Sequence, residues 1–240
     1  KHTSKEKPVI VLKSGRTAVG AKAASSHTGA IIKSSDVIFD VALKQAGAIR
    51  AQGLDEFFDL VKVFDYLPPL KRNRIAIASF PYGEAVIAAD ACQLNGLIMS
   101  QLSPKTQSKL RSIFPPWDMP VNPFDMGVAS EFHNLNDLHR VLLNALADDP
   151  NVDCLAIQAR GPLSVDLDHL AKLLSGLIER GKPVVTWVPG MSLIKTVTIQ
   201  HLESNRVPVY PSAERAIKAL SALYQYNIIR NRSYVDEFSL

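Results

Sequence analysis

Short apolar and β-branched runs alternate along the chain with longer segments in which apolar residues recur every three or four positions. The short runs predict strands, because a strand that is buried on both faces shows no polar alternation. The longer segments predict helices with one apolar face. The predicted strands lie at 8–13, 48–51, 74–80, 97–102, 152–159, 182–189 and 207–211. The predicted helices lie at 34–47, 54–64, 83–96, 103–114, 135–149, 166–181, 192–206 and 212–226.

Strands that alternate with helices of this length are typical of βαβ units around a parallel sheet. Two stretches, 14–33 and 115–127, follow neither pattern and are predicted to be loops. The alternation is interrupted by DYLPPLKRNR, whose adjacent prolines predict a linker. The sequence therefore predicts an α/β protein of two flavodoxin-like parallel-sheet units, the first of them incomplete. We expect the first unit at 1–67, the linker at 68–73 and the second unit at 74–240.

The composition narrows the class of protein. The 240 residues are 47% hydrophobic and 21% charged, which is ordinary for a globular chain. No apolar run approaches the roughly 20 residues that cross a bilayer, and the first residues lack the apolar core of a signal peptide. Cys92 and Cys154 have no CxxC spacing, which predicts buried free thiols in a reducing compartment. We therefore expect a cytoplasmic protein without membrane association.

His27 stands in a predicted loop, within the stretch AASSHTGAIIKSSD of small and hydroxylated residues. Residues 1–33 carry seven lysines and arginines against one acidic residue, although the net charge of the whole chain is only +4. Such an excess favours a small anion, and phosphate binds readily at a helix start like the one predicted after residue 33. An imidazole there is a candidate phosphoryl acceptor through its neutral ring nitrogen. The alternative is an exposed loop histidine without a role, which is the commoner case for a lone histidine.

The turn SFPYGEA, between a predicted strand and the next helix, is a second candidate because Gly83 would let an anion approach the backbone. Glu84 would oppose that anion, and an ordinary strand-to-helix turn explains the same residues. The chain has no GxSxG, GxGxxG or Walker motif, and no HExxH or other metal-ligand spacing. We therefore expect no metal site within this chain alone, and we place His139 and His169 on solvated helix faces. Nucleic acid is not an expected partner, since the basic residues are not interleaved with aromatic ones.

The segment KPVIVLKSGRTAVGAKAASSHTGA resembles the phosphohistidine segment of the ADP-forming (NDP-forming) acyl-CoA synthetases, in the succinyl-CoA synthetase superfamily. Further similar pieces follow in the same order, among them LSPKTQSKLRSIFPP, NPFDMG, GKPVVTWVPG and VPVYPSAERAIKAL. The resemblance covers nearly the whole chain and corresponds to the phosphohistidine and ligase-CoA domains of the family. It is most specific at SHTG and its flanks.

The resemblance implies a ligase that forms acyl-CoA from a carboxylic acid, CoA and ATP, with release of ADP and phosphate. In this family a histidine relays the phosphoryl group between the CoA site and the nucleotide site, and His27 matches that histidine. Ser26, Thr28 and Gly29 complete its loop, and Gly83 matches a glycine-rich turn at the start of a helix that faces it. By resemblance, these four are the expected phosphate-binding residues.

Parts of the family's machinery have no counterpart in these 240 residues. These are the CoA-binding domain and the ATP-grasp module, which binds nucleotide and magnesium. The chain is therefore expected to be an incomplete enzyme that binds no cofactor alone. Its expected partners are CoA-binding and ATP-grasp domains or subunits, which would supply ATP or ADP, CoA and Mg²⁺, and phosphate or another small anion. Self-association into a homo-oligomer stays open.

A non-catalytic relative is the second interpretation. It would be a regulatory ligand-binding domain, like the synthetase-like part of certain protein acetyltransferases. The resemblance implies that the histidine is often replaced in such domains, so the presence of His27 favours the enzyme. The turn FPYGEA, where the family has a sequence like NAGGPG, keeps one glycine and adds Glu84, which favours the regulatory domain.

Overall fold

A computed structural model shows an α/β chain that divides into two compact units. It describes residues 2–28, 36–161, 166–190 and 193–232. For four of these residues it describes only the backbone: Ser25, His27, Thr28 and Ile194. One unit comprises Lys1–Val61 with Gln225–Leu240, and the other comprises Lys62–Tyr224. The domain limits expected from the sequence, at residues 67 and 74, stay a prediction.

The first unit is built around a small parallel sheet, in which β1 (Ile10–Leu12) pairs with β2 (Ile49–Ala51). Its helices are α1 (His2–Glu6), α2 (Ala18–Thr28), α3 (Asp36–Ala46) and the first part of α4 (Leu54–Tyr66). Gly47 ends α3 in the left-handed region, with φ at 72°. A Cβ added there would lie 2.8 Å from the hydroxyl of Ser4, which donates to the Ala46 carbonyl at 2.6 Å. This turn therefore requires glycine.

The second unit contains a larger parallel sheet and the helices that cover it. Its elements are β3 (Arg74–Ser79), α5 (Tyr82–Leu94), β4 (Ile98–Met99), α6 (Pro104–Leu110), a 3₁₀ turn (Arg111–Ile113), β5 (Phe124–Asp125), α7 (Met126–Ser130), α8 (Leu135–Ala147), β6 (Cys154–Gln158), α9 (Leu167–Glu179), β7 (Val184–Trp187), α10 (Leu193–Ser204), β8 (Val209–Tyr210) and α11 (Ala213–Asn231). The strands lie in the order β4–β3–β6–β7–β8, and β5 pairs with the end of β3. Counted from β3, this is the flavodoxin order 2-1-3-4-5.

The core of this unit lies on both faces of the sheet, because alternate residues of a strand point in opposite directions. Ala76 and Ala78 of β3 pack into an apolar cluster with residues of α6, α8, α9 and α10. Ile75 and Ile77 pack into a second cluster with residues of α4, α5 and α11. All four side chains are fully buried. This two-sided burial is why the strands read as continuous apolar runs in the sequence.

The parallel α/β fold that the sequence predicts is confirmed. The start of α6 also follows the prediction, since Ser103 accepts a hydrogen bond from the Thr106 amide and Pro104 opens the helix. Both cysteines are free and buried, as expected. Burial raises the pKa of Cys92 to about 12, which keeps this thiol protonated and unreactive.

Both loop predictions are wrong in part. α2 occupies residues 18–28 of the predicted loop at 14–33. The small residues that suggested a loop include four alanines, and alanine is the strongest helix former. In the second predicted loop, β5 and the start of α7 occupy 124–127. There Asp125 accepts hydrogen bonds from the amides of Gly127 and Val128, which caps α7.

We predict that Ile77→Ala lowers the free energy of unfolding by about 2–4 kcal/mol, because it leaves a cavity in the middle of the sheet. Ile98→Ala is the matched control, since Ile98 also lies in a strand but is 58% exposed, and it should cost less than about 0.5 kcal/mol. Urea unfolding of the three proteins provides the comparison. Equal losses for the two variants would contradict the placement of Ile77 in the core.

Candidate active site

The carboxyl ends of β3 and β6 form a crevice in the second unit. The chain continues from β3 to β4 on one side and from β6 to β7 on the other. The two connections diverge, which leaves a gap between the loops that follow these strands. In open α/β sheets, ligands bind at such a point.

A cavity of about 320 Å³ occupies this crevice. A volume of this size suits a small molecule. The lining combines apolar walls with two cations, one carboxylate, an amide and a hydroxyl. It comes from the ends of β3, β6 and β7 and from α5 and α10, and consists of Phe80, Pro81, Glu84, Gln158, Ala159, Arg160, Gly161, Val188, Pro189, Lys195 and Thr198.

Hydrogen bonds fix the turn that enters the cavity after β3. The amide of Phe80 donates to Oε1 of Gln158 at 2.7 Å, and the Gln158 side chain is buried. The hydroxyl of Ser79 donates to the Pro81 carbonyl at 3.2 Å, and the Phe80–Pro81 peptide bond is cis. The backbone of this turn is therefore held by β6 in one defined position.

The carboxylate of Glu84 is held by a buried donor. Nε1 of Trp187, on β7, donates to Oε2 of Glu84 at 3.1 Å, and Trp187 is fully buried. Glu84 lies in the first turn of α5, where the helix dipole favours a negative charge. The preceding Gly83 has open space around it, because no heavy atom lies within 4 Å of a Cβ built there. Packing therefore does not explain the glycine at position 83.

Phe80 lies between a cation of the cavity and a buried histidine. The guanidinium of Arg160 lies over its ring, 5.1 Å from the centroid, which is a cation–π contact. His139, on α8, meets the same ring edge-on, with the centroids 6.2 Å apart. Among the described residues, neither ring nitrogen of His139 has a hydrogen-bond partner.

The prediction that His139 lies on a solvated face is wrong, since its side chain is fully buried. The position lies three and four residues before Leu142 and Leu143, which places it on the apolar face of α8. Burial lowers the pKa of His139 to about 4, with a smaller contribution from nearby His169. The ring of His139 is therefore neutral at neutral pH. His169 is itself partly buried rather than solvated.

The predicted histidine segment lies in the first unit. His27 is the penultimate residue of α2, so its backbone is helical. Ser26 is exposed, and its hydroxyl donates to the Ala23 carbonyl at 2.7 Å. Thr28 ends the helix, and Gly29 lies outside the described residues. The structure thus brings three of the predicted site residues into one helical turn, whereas Gly83 belongs to the second unit.

Basic residues that precede His27 in the sequence converge on Asp36, the first residue of α3. Oxygens of Asp36 lie 3.5 Å from Lys13 Nζ, 3.4 Å from Arg16 Nε and 2.5 Å from Arg50 Nη2. The hydrogen bond from Arg50 is the main cause that lowers the pKa of Asp36. Lys13 and Arg16, which contribute to the excess of positive charge in residues 1–33, are therefore already paired with a carboxylate of this chain.

Metal-ligand groups and membrane-spanning helices are both absent from the described residues. Within 2–28, 36–161, 166–190 and 193–232, no three His, Cys, Asp or Glu side chains form a group that could hold a metal ion. None of the helices in these ranges qualifies as a membrane-spanning segment.

Comparisons with known proteins agree with this architecture. The family described as the succinyl-CoA ligase like flavodoxin domain matches residues 1–64. An ADP-forming acetate–CoA ligase of Methanocaldococcus jannaschii is 35% identical over 99% of this chain and 34% of its own length. The alpha subunit of ADP-forming acetate–CoA ligase I of Pyrococcus furiosus is 34% identical over 95% of this chain and 48% of its own length.

A solved structure shows the same similarity in three dimensions. It is the dinucleotide forming acetyl-coenzyme A synthetase 1 of Ca. Korarchaeum cryptofilum, in complex with phosphate and ADP. It superposes with a TM-score of 0.82 at 30% identity, over 95% of this chain and 49% of its own.

Fold and similarities together define the class: an α/β protein of parallel-sheet units, whose first 64 residues match the succinyl-CoA ligase like flavodoxin domain. Over nearly its whole length the chain is related to one part of the ADP-forming acyl-CoA synthetases, which confirms the resemblance seen in the sequence. The chain spans about a third to about half the length of the curated relatives it matches.

The cavity residues Gln158, Arg160 and Lys195 were not among the candidates from the sequence. The sequence candidates lie after the strands at 8–13 and 74–80, whereas Gln158 and Arg160 lie at the end of β6 and Lys195 lies on α10. A usable signal was present, because Gln158 and Arg160 are polar residues at the end of a strongly apolar run. In a parallel sheet, such residues arrive at the same edge as the turn after β3.

We predict that His139 makes the protein less stable in mild acid. An unfolded histidine titrates near pH 6.5, whereas the pKa of folded His139 is about 4, so protons bind first to the unfolded state. This contribution is absent above pH 7 and grows to about 3 kcal/mol of lost unfolding free energy at pH 4. His139→Leu should remove that part of the pH dependence, as measured by urea unfolding at several pH values.

His2→Gln is the control for this experiment, because His2 is an exposed histidine whose replacement should leave the pH dependence unchanged. A pH dependence of His139→Leu equal to that of the unmodified protein would contradict the buried, neutral ring.

Proposed function

We propose that this chain is the phosphoryl-carrying part of an ADP-forming acid–CoA ligase. The observation that carries the proposal is the similarity to ligases of this kind over more than nine-tenths of the chain, one of them a separate alpha subunit. His27 within the SHTG segment supports it. The relatives reported above are all described as ligases or synthetases, which favours the enzyme over a regulatory domain.

His27 acts in this proposal as the phosphoryl carrier. A ring nitrogen of its neutral imidazole attacks the terminal phosphorus of ATP; the N–P bond forms as the P–O bond to ADP breaks. The phosphoryl group then passes to a carboxylate oxygen of the acid, and the thiol of CoA displaces phosphate from the resulting acyl phosphate.

The cavity of the second unit is the proposed site of the acid. Arg160 and Lys195 supply positive charge, and Phe80 and Val188 supply apolar surface for the body of the acid. Among the described residues, no carboxylate forms an ion pair with Arg160, so its guanidinium is available to an anion. Ser26, Thr28, Gly29 and Gly83 are the proposed phosphate-binding residues, with the roles that the resemblance implies.

The remaining reactants belong to partner domains in this proposal. CoA and ATP would be bound by CoA-binding and ATP-grasp domains or subunits. Mg²⁺ would also be held there, as the resemblance to the family implies. What this chain contributes is the phosphoryl acceptor and the acid cavity.

We predict that the chain, combined with its CoA-binding and ATP-grasp domains and with ATP labelled on the terminal phosphate, acquires acid-labile label on His27. Acid lability distinguishes a phosphoramidate from a phosphate ester. His27→Asn removes the ring nitrogens and should abolish the label and the synthesis of acyl-CoA. His2→Gln is the control and should retain both. Label that persists in His27→Asn, or no label in the unmodified protein, would overturn the proposal.

We also predict that Gly83→Ala slows phosphoryl transfer about tenfold or more, because a methyl group at the start of α5 blocks the approach of an anion to the backbone. The free energy of unfolding should change by less than about 1 kcal/mol, since the site has room for the methyl group. Gly176→Ala is the matched control, because Gly176 also lies in a helix and has the same free space. Transfer rates measured by the label on His27 decide the question, and equal rates for the two variants would remove Gly83 from the site.

A further inference from the structure

A second cavity, of about 550 Å³, lies at the opposite end of the same sheet, where the strands begin. Its lining comes from the segments that lead into β3, β6 and β7, so it faces away from the carboxyl-edge crevice. The lining residues are Pro69, Leu70, Lys71, Arg72, Asp149, Pro150, Val152, Asp153, Gly181, Lys182 and Pro183. The roles assigned to the acid, the phosphoryl group and His27 make no use of this cavity.

The carboxylates of this cavity are buried, whereas two of its cations are exposed at the rim. Asp153 accepts hydrogen bonds from Arg72 Nε at 3.1 Å and from Arg74 Nε at 2.8 Å, so two guanidinium groups share one carboxylate. Asp149 accepts from the amides of Ser103 and Asn151, both at 2.8 Å. The carboxylates of Asp149 and Asp153 are therefore held by donors of the protein, and the charged groups that face solvent at the rim are Lys71 and Arg72.

Lys182 is the half-buried cation of this cavity. Its ammonium donates to the Val152 carbonyl at 2.5 Å, and its backbone amide donates to the Leu177 carbonyl at 3.0 Å. Both the side chain and the backbone are thus fixed between the end of α9 and the start of β6. A neutral amine can keep the hydrogen bond to Val152 through one N–H and still present its lone pair to the cavity.

Desolvation by burial lowers the pKa of Lys182, and it outweighs the nearby acidic groups that raise it. The charged and titratable groups around the amine are Lys71, Arg72, Arg74, Asp148, Asp149, Asp153 and Cys154. Cys154 is buried, and burial raises its pKa well above the usual value, so this thiol is neutral and does not compete as a nucleophile. Each unit by which the pKa of the lysine falls gives about tenfold more neutral amine at a given pH.

We propose that Lys182 is a self-acylation site, which takes an acyl group from an acyl-CoA thioester held in this cavity. The amine attacks the carbonyl carbon of the thioester; the C–N bond forms and the C–S bond breaks. The amine loses one proton and the departing CoA thiolate gains one, so the products are an N-acyl lysine and free CoA. No oxidant, reductant or further reactant is needed.

The cavity suits this donor in charge and in size. The phosphate groups of CoA are anions that Lys71 and Arg72 would attract, and both cations are exposed at the rim. The volume of about 550 Å³ leaves room for the acyl end of the molecule beside Lys182. In the cell the donor would be the product of the proposed ligase reaction, and to that extent the inference rests on the proposed function. Acylation would convert a cation at the edge of the sheet into a neutral amide.

The test is to incubate the whole chain with acetyl-CoA at pH 8 and to measure the acetylated fraction of each lysine by mass spectrometry after cleavage at acidic residues. Lys109 and Lys172 serve as internal references, because both are exposed lysines of the same unit. We expect Lys182 to react about tenfold faster than either reference, because a thioester bound in the cavity is held beside its amine. Equal or slower reaction at Lys182 would overturn the proposal, and this comparison within one protein needs no variant.

Two further measurements test the separate steps. Lys182→Arg keeps the positive charge and should remove the fast-reacting site, whereas Lys172→Arg should leave it in place. An excess of unacylated CoA should slow acetylation of Lys182 but not of Lys172; an unchanged rate at Lys182 would overturn binding in the cavity. Because acetyl-CoA is supplied directly, the outcome is independent of whether His27 carries a phosphoryl group.

Discussion

The pairing of β3 with β4 on one edge and with β6 on the other determines where this chain can do chemistry. β3 pairs with β4 along its first residues and with β6 along its other edge, in the register Ile75 to Cys154 and Ala78 to Ile157. Because all of these strands are parallel, one register fixes both ends of the sheet. At the carboxyl end it brings the turn at Phe80 against Gln158, and at the amino end it brings Arg74 against Asp153. Both cavities follow from this single alignment.

At the amino end of the sheet this alignment buries a carboxylate, and hydrogen bonds from arginines offset the cost of that burial. Asp153 has little exposure, and burial alone would raise its pKa; the hydrogen bonds from Arg74 reverse that effect, and the pKa is lowered. A buried charge is tolerated only when every lone pair has a donor, and here Arg72 and Arg74 supply them. The same arrangement leaves Lys182 next to an acid that is already neutralised. The ammonium of Lys182 is stabilised by Asp153, but desolvation by burial outweighs this attraction, so the pKa of Lys182 is lowered.

Much of the fold could be predicted from the sequence, because apolar periodicity reports directly on burial. Strands such as KPVVTWVP and the capped start of α6 follow from local pattern alone. The helix α2 could not be predicted in the same way, since alanine, serine and glycine are compatible with both a loop and a helix until their neighbours are known. The prediction for His139 was wrong for a related reason. A histidine beside acidic residues suggests an exposed side chain, and only the spacing of the leucines on α8 indicates that His139 is buried. The cavity depends on residues about 80 and about 110 positions apart, Phe80, Gln158 and Val188, which no local pattern connects.

The turn FPYGEA, which departs from the glycine-rich sequence of the family, has a physical consequence for the anion that the cavity prefers. The carboxylate of Glu84 accepts from the indole of Trp187, and an indole N–H orients that charge without neutralising it. The amino end of α5 therefore offers an anion less positive potential than an unsubstituted helix start does. The remaining attraction comes from Arg160 and Lys195, of which Lys195 also donates to the Gly190 carbonyl at 2.8 Å. Repulsion by Glu84 grows with the charge of the ligand, whereas the guanidinium of Arg160 pairs fully with a single carboxylate. This distribution of charge favours the single charge of a carboxylic acid at Arg160, in keeping with the acid site proposed for this cavity.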